Sequence, residues 1–546
     1  MLSIHFRAAL ITAVLVAPAF VHAATCESLT TLALPNNTTV ASAVSVPAGP
    51  FVRPGSTVPV NVPAFCRVAA TSKPTAASNI QMEVWLPAAG WNGKFNQGGN
   101  GGYGGSLGTP AGFMLAGLLR GYATAGTDMG HNAATHPGAS WALNQPELIA
   151  DWGWRANHVT AIAAKQIVSA FYGAAPTYSY FTGCSDGGHE AFMEAQRFPD
   201  DFDGIVAGAP ANFWTHQSAS WVWTARAALD NPASNIPLAK LVMINQAAVA
   251  ACQGVVPGVI DDPQRCAFDP ISLLCAGADA PNCLTAAQVE AVRKIYAGPT
   301  NPRTGEQIYP GLERGSEAAG GSLTGGASWS ALVSGPQTFL GGDFYKFMVF
   351  NDPNWNFHTL DFDADVALGD AKMAAVINST SPDLTDFKNL GGKLIIWHGW
   401  ADPLVNPRNS INYYRSVVAF MHNQRAKSFN AAAPGPASAT EDFVRLFMAP
   451  GMAHCALGPG LNTFDTFTAL EQWVEQGIAP EKLLATNASV AFPDNVMRSA
   501  APGTFSRPLC AWPQVAQWSG KGSPMSADNF ACALVGQDRA AAAQTP

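Results

Sequence analysis

TYSYFTGCSDGGHEAFMEAQRFP, residues 177–199, is the stretch that decides the fold. It opens with β-prone Thr, Tyr and Phe, turns at a serine set between glycines, and continues with helix formers until Pro199. The order is strand, sharp turn, helix. Gly183-Cys184-Ser185-Asp186-Gly187 fits GxSxG, where the glycines permit the tight turn that lifts a serine hydroxyl out of a sheet. In a glycine-rich chain the pattern alone reads as a surface turn. With a strand before it and a helix after it, it reads as a nucleophile elbow.

Upstream, Val159, Ala163, Ile167 and Phe171 fall four apart and stop at Gly173, which predicts an amphipathic helix over 155–172. Strand-like blocks at Gln81 to Pro87 and Tyr122 to Gly126 flank a glycine-rich loop, QGGNGGYGG, at 97–105. Downstream, Gly204 to Ala207, Lys393 to His398 and Val444 to Met448 are further apolar strands. Strands alternating with helices predict an α/β protein with a doubly wound, mostly parallel sheet. Residues 212–380 differ in texture: they are rich in Trp, Gly and turn signals and hold four cysteines. They are expected to form a large lid domain inserted at a strand end, between core segments 24–211 and 381–546. The tail beyond Ala500 is expected to be pinned by Cys510 and Cys532.

A chain of 546 residues can bury several cores. Only 12% of its residues are charged and 48% are hydrophobic, which excludes a disordered polyampholyte. Lys+Arg number 30 against 38 Asp+Glu with no basic run, so nucleic acid is excluded as a partner. Residues 1–23 carry one Arg, then an apolar stretch from Ala8 to Phe20 interrupted by Pro18, and end in small residues. They read as a cleaved secretory signal and not as a membrane anchor. A secreted or periplasmic protein, with no membrane contact after signal removal, is expected. All ten cysteines lie beyond this segment, and an even count in an exported chain favours disulfides. Neighbour spacing suggests Cys252 with Cys266, Cys275 with Cys283 and Cys510 with Cys532. Zinc is disfavoured because no CxxC pair is present.

A serine hydroxyl is a poor nucleophile at neutral pH, so an elbow calls for a histidine base and an orienting carboxylate, in the order Ser, Asp, His. WHGWADPLVNP (397–407) places Asp402 in a loop after an apolar strand, and APGMAHC (449–455) does the same for His454. His131, His136 and His158 precede the serine, His189 lies on its helix, and His216, His358 and His422 lack a strand-end setting. Asp465 competes with Asp402 but follows His454. Cys184 adjoins Ser185 and Cys455 adjoins His454. A serine and histidine within ~3 Å would bring these neighbours near the 5–6 Å Cα separation of a disulfide. Such a bridge would clamp nucleophile to base. The oxyanion donors are expected to be the Asp186 N–H and the N–H groups of Gly101 and Gly102. The glycine loop lacks the helix and downstream acid of a dinucleotide fingerprint.

GCSDGG, HGWADPLV and GMAHC, together with GNGGYGG, FDGIVAGAPA and YPGLERGSE, resemble the tannase and feruloyl esterase family of α/β-hydrolases over nearly all of the mature chain. The resemblance implies Ser185, Asp402 and His454 as catalytic triad, a Cys184–Cys455 bridge and a Cys26–Cys66 bridge. It also implies a lid that walls an aromatic acyl group, and a pocket-lining role in substrate binding for His398. Phe213, Trp214, Trp221, Trp223 and Phe344 are the lid's candidates for that wall. Many relatives bind calcium in an aspartate-rich loop corresponding to Cys252–Cys266. Here only Asp261 and Asp262 remain, too few for the usual six to eight oxygen ligands, so no metal and no cofactor are expected. Relatives also commonly carry Arg where this chain has His189. The expected activity is that of a secreted serine carboxylesterase acting on small esters of phenolic, hydroxycinnamic or terephthalic acids through an acyl-enzyme. The alternatives are a peptidase or acyltransferase with the same triad, or a non-catalytic binding protein on a hydrolase scaffold.

Overall fold

Six strands, buried along nearly their whole length between two layers of helix, form the parallel part of a nine-stranded sheet. In the computed structural model, which describes residues 24–333, 339–427, 440–497 and 501–534, they are β4 (Lys94–Gly98), β5 (Ala123–Thr127), β6 (Tyr178–Cys184), β7 (Gly204–Gly208), β8 (Lys393–Gly399) and β9 (Val444–Ala449). The signal-like residues 1–23 lie outside the described residues. Three antiparallel strands, β1 (Thr38–Val46), β2 (Phe65–Ser72) and β3 (Ile80–Pro87), extend one side, giving the order β1-β2-β3-β5-β4-β6-β7-β8-β9. The sheet is thus mixed but mostly parallel, as the alternation of strands and helices predicts.

Alternate residues of the central strands point into two different cores, which is what a period of two requires. Phe181, Ile205, Leu394, Ile396 and Leu446 share one cluster with Val159, Ile167, Phe192 and Val417. Tyr180, Val206, Ile395, Trp397 and Phe447 share another with Phe113, Phe467, Leu470 and Trp473. Helices α1 (Pro110–Leu118) and α8 (Thr466–Gln476) therefore cover one face. Helices α2 (Ala156–Tyr172), α3 (Asp186–Arg197) and α7 (Pro407–Lys427) cover the other. Helix α2 ends where expected, on Gly173 in the left-handed region (φ 71°).

The expected strands, β3 among them, lie within two residues of their predicted limits, whereas β4, β1 and β2 are not anticipated. Strand β4 reads as polar, KFNQG, yet Asn96 and Gln97 are fully buried. Gln97 Nε2 donates to Asn157 Oδ1 at 3.0 Å, and Asn96 Oδ1 accepts from Thr182 at 3.1 Å. Each buried amide thus has one partnered end, while Asn96 Nδ2 and Gln97 Oε1 have no partner among the described residues.

Between β7 and β8 the described chain adds no strand to this sheet. It folds into α4 (Trp214–Leu229), α5 (Leu238–Cys252), α6 (Ala286–Ala297) and short helical turns, stapled by Cys252–Cys266 and Cys275–Cys283. It docks on the loop after β8, where Trp221 Nε1 donates to the Leu404 carbonyl at 2.7 Å. Beyond α8, strand β11 (Lys482–Thr486) pairs on one side with the short β10 (Thr463–Phe464) and on the other with β12 (Ser506–Cys510), and a hairpin of β13 (Val515–Trp518) and β14 (Phe530–Ala533) follows. Cys510–Cys532 and a Trp512 N–H to Leu446 carbonyl bond (2.8 Å) hold this tail against β9. No helix among the described residues is long and apolar enough to cross a membrane.

Candidate active site

Ser185 ends β6 and begins α3 with φ 68° and ψ −121°, a left-handed conformation that a non-glycine residue holds only when its surroundings impose it. The surroundings are glycines. A Cβ on Gly183 would overlap the Gly187 backbone, and one on Gly188 would overlap the Gly208 carbonyl of β7. The Ser185 N–H donates to Gly208 at 3.0 Å, and the Ser185 carbonyl accepts from Gly188, His189 and Ala211. The hydroxyl is thereby left half-exposed above the sheet.

His454, in the loop after β9, meets this hydroxyl. Its Nε2 lies 2.8 Å from Ser185 Oγ, and its Nδ1 lies 2.7 Å from Asp402 Oδ2. Asp402 is fully buried in the loop after β8 and accepts four hydrogen bonds. Oδ1 receives the N–H groups of Leu404 (2.8 Å) and Val405 (2.9 Å), while Oδ2 receives His454 and, at 3.2 Å, His398 Nε2. Burial alone would push this carboxyl up. The two imidazoles outweigh it and hold Asp402 well below the usual carboxylate range, so it stays ionised. With Asp402 anionic, the proton of His454 resides on Nδ1 and Nε2 is free to accept from the serine.

Cys184 and Cys455 are joined, with Cα atoms 6.0 Å apart, so a covalent link runs one residue from both the serine and the histidine. Cys26–Cys66 is also present, and no described cysteine is free. The insertion reaches this point too, because the His454 N–H donates to the Gly326 carbonyl at 3.1 Å.

The glycine loop after β4 lies against the elbow through Asn100, which sequence reasoning missed. Its carbonyl accepts from Gly187 N–H (3.1 Å), its N–H donates to Glu190 Oε2 (2.9 Å), and its amide nitrogen donates to the Thr127 carbonyl (2.9 Å). The expectation for Gly101 needs correction: its N–H is already given to Asn100 Oδ1 at 3.0 Å. Gly102, with φ 59°, and Asp186, at the first turn of α3, keep backbone N–H groups without a partner among the described residues.

His398 also requires correction. It is fully buried behind Asp402 and does not line a pocket: Nε2 is shared between Asp402 and the Val405 carbonyl (3.0 Å), and Nδ1 lies 2.7 Å from Ser410 Oγ. The sequence shows that it is four residues from Asp402 but not which side of the carboxylate it takes. Of the aromatics expected to wall the pocket, Trp214 and Phe344 are core, Trp221 is bonded to the Leu404 carbonyl, and Trp223 donates to the Lys294 carbonyl at 2.8 Å. Phe213 stacks on His216.

Other titratable candidates have separate partners. Asp465 caps α8 through Thr468 N–H (2.8 Å). His216 pairs with Asp370 and His358 with Asp230. His131 is buried against Trp141, and burial lowers its pKa to about 4. His189 is sealed under the elbow, 3.2 Å from Asp186 and near Trp152 and Trp214, and burial likewise lowers it to about 4. Burial pushes the Asp186 carboxyl well up and the Glu190 carboxyl to about 8. In the Cys252–Cys266 loop, Asp261 is paired with Arg507 at 2.5 Å. His158, Glu194 and Asp201 are close enough to ligate a metal, but His158 is already bonded to Asp201 at 2.6 Å and Lys165 sits beside the pair.

A doubly wound sheet with a serine at the turn after a central strand, facing a histidine and a buried aspartate, defines the α/β-hydrolase class. The description "Tannase and feruloyl esterase" matches residues 66–533. An uncharacterized esterase of Xanthomonas campestris pv. campestris is 43% identical, with 93% of this chain and 91% of the relative covered. The mono(2-hydroxyethyl) terephthalate hydrolase of Piscinibacter sakaiensis is 32% identical over 93% of this chain and 92% of its own. The crystal structure of feruloyl esterase B from Aspergillus oryzae superposes with a TM-score of 0.81 at 28% identity, covering 93% of this chain and 99% of that one. The chain belongs to the tannase and feruloyl esterase family and is an ester hydrolase.

Proposed function

We propose that this chain is a secreted serine carboxylesterase that cleaves esters of aromatic acids through an acyl-enzyme. The observation that carries the proposal is the continuous line from Ser185 Oγ to His454 to Asp402, at 2.8 and 2.7 Å. His454 Nε2 takes the serine proton as Oγ attacks the ester carbonyl, and Asp402 holds the resulting imidazolium. The N–H groups of Gly102 and Asp186 receive the developing oxyanion. As the C–O bond breaks, His454 returns the proton to the leaving alcohol and the acyl group stays on Ser185. Water, deprotonated by His454, then releases the acid and restores the serine. The scheme routes no step through a metal or cofactor.

Relatives named for feruloyl esters and for a terephthalate monoester support an aromatic acyl group. Residues 212–380 are assigned as the lid that supplies its wall. Export is supported by residues 1–23 and by the pairing of all ten cysteines. The test is Ser185→Ala assayed on methyl ferulate, methyl gallate and mono(2-hydroxyethyl) terephthalate. At least one ester should be turned over by the wild type, with kcat reduced by at least ~10⁴-fold in a variant of unchanged circular dichroism. Retained turnover, or a fluorophosphonate adduct mapped to a residue other than Ser185, overturns the assignment.

A further inference from the structure

The C-terminal strands, with Trp400 and the Cys252–Cys266 loop, border a cavity of about 320 Å³ that is lined by none of Ser185, Asp402 and His454. Trp400, Trp512, Trp518 and Phe530 contribute to its walls, the first two with ring centres 6.4 Å apart. Such walls suit a flat, apolar body.

Arg507, on β12, lines the same cavity although it is only 1% exposed. A buried guanidinium is rare unless every donor is matched. Here Nη1 donates to Asp261 Oδ1 at 2.5 Å, and the guanidinium carbon lies 4.7 Å from the centre of the Phe530 ring. Nε and Nη2, both buried, have no hydrogen-bond partner among the described residues, and neither has the buried Trp518 Nε1. Nε and Nη2 form the side-on edge of the guanidinium, the edge that grips carboxylates elsewhere in this molecule. Arg67 holds Glu83 through it at 2.9 and 2.5 Å, and Arg293 holds Asp269 at 3.0 and 2.7 Å. Asp261, Asp262 and Arg265 also border the cavity, so its formal charges balance and the unmatched fork selects the ligand, not the net field.

We propose that this cavity binds a small aromatic carboxylate, of the benzoate or cinnamate type, with its two oxygens on Nε and Nη2 of Arg507 and its ring against the tryptophans. The proposal stands on Arg507 and these rings and does not depend on the role of Ser185.

The test combines location with affinity. Crystals of the full chain soaked in para-bromobenzoate should show the bromine's anomalous signal in this cavity and the carboxylate on Arg507. Calorimetry with benzoate should show saturable binding that weakens at least tenfold in Arg507→Lys, which keeps the charge facing Asp261 but loses the fork. Benzyl alcohol, which has the ring without the carboxylate, should bind at least tenfold more weakly. Where Arg507→Lys melts well below the wild type, Trp518→Phe replaces it, with a several-fold loss expected. A bromine signal confined to other places, a soaked ligand without saturable binding in solution, or unchanged affinity in a folded variant overturns the site.

Discussion

Asp402 accepts four hydrogen bonds while fully buried, and each donor has a separate consequence. Two backbone N–H groups fix the carboxylate plane, His454 is oriented by it, and His398 buttresses it from behind. Asp402→Asn places an amide N–H where an acceptor is needed. The expected result is a fall of about 10⁴-fold in kcat with little change in KM, read by steady-state kinetics on an aryl ester. His398→Phe, which removes one donor without touching the serine, should lower kcat about tenfold and leave covalent labelling of Ser185 intact. The sign of the pH effect follows from the depressed carboxyl. Its stabilising charge is present above the ordinary aspartate range and is lost only as pH falls through a still lower value, so Asp402 stays charged well into acid. Ser185, Asp402 and His454 are legible in the sequence because a motif, a chain order and strand-end settings coincide. Gly101 and His398 are misread because direction is not written in spacing: one N–H turns back to Asn100, and one ring turns away from the cleft.

The elbow joining β6 and α3 stands on a buried floor of acids and a neutral histidine, and that floor titrates. Glu190 is raised by burial first and by nearby Asp186 second, to about 8. A carboxyl raised in the folded state binds protons that the unfolded chain has already lost, so stability falls as pH climbs from the ordinary glutamate range to about 8. Glu190→Gln copies the protonated form and can still accept from Asn100 N–H. Thermal midpoints measured from pH 5 to 9 should fall less steeply with rising pH in this variant than in the wild type. The Cys184–Cys455 link acts on the same element. Closing so long a loop restrains the unfolded chain by of order 5 kcal/mol in the chain-entropy account. A misplacement of one ångström between base and nucleophile costs about 10²-fold in rate. The Cys184→Ala/Cys455→Ala double variant, assayed where it remains folded by near-ultraviolet circular dichroism, should therefore lose about 10²-fold in kcat. At this scale the parallel strands are legible because burial on both faces leaves continuous apolar runs. Strand β4 is hidden by its amides, whose partners lie on α2 and β6.

Over the whole molecule, the ends of the sheet's strands carry the serine, histidine and aspartate, and the long excursion between β7 and β8 meets the loops that hold them at Gly326 and Trp221. That division predicts separable properties. Exchanging residues 212–380 for the corresponding segment of a relative should transfer the preference among ferulate, gallate and terephthalate esters, read as ratios of kcat/KM. Turnover of a small acetate ester should stay within about tenfold, since the excursion touches His454 through one backbone bond at Gly326. The excursion is legible as a change of texture. Of the antiparallel wing, β3 is legible as an apolar block, whereas β1 and β2 at the sheet's edge are not, because their alternation of buried and exposed residues leaves no motif. Residues 184 and 455 are separated by 271 positions, so a ribosome delivers the nucleophile long before its base exists. For an exported chain, the sulfur atoms can join only after passage into an oxidising compartment. On the exported reading proposed above, the chain inside the producing cell lacks this clamp, and its turnover there should be about 10²-fold below that of the oxidised protein.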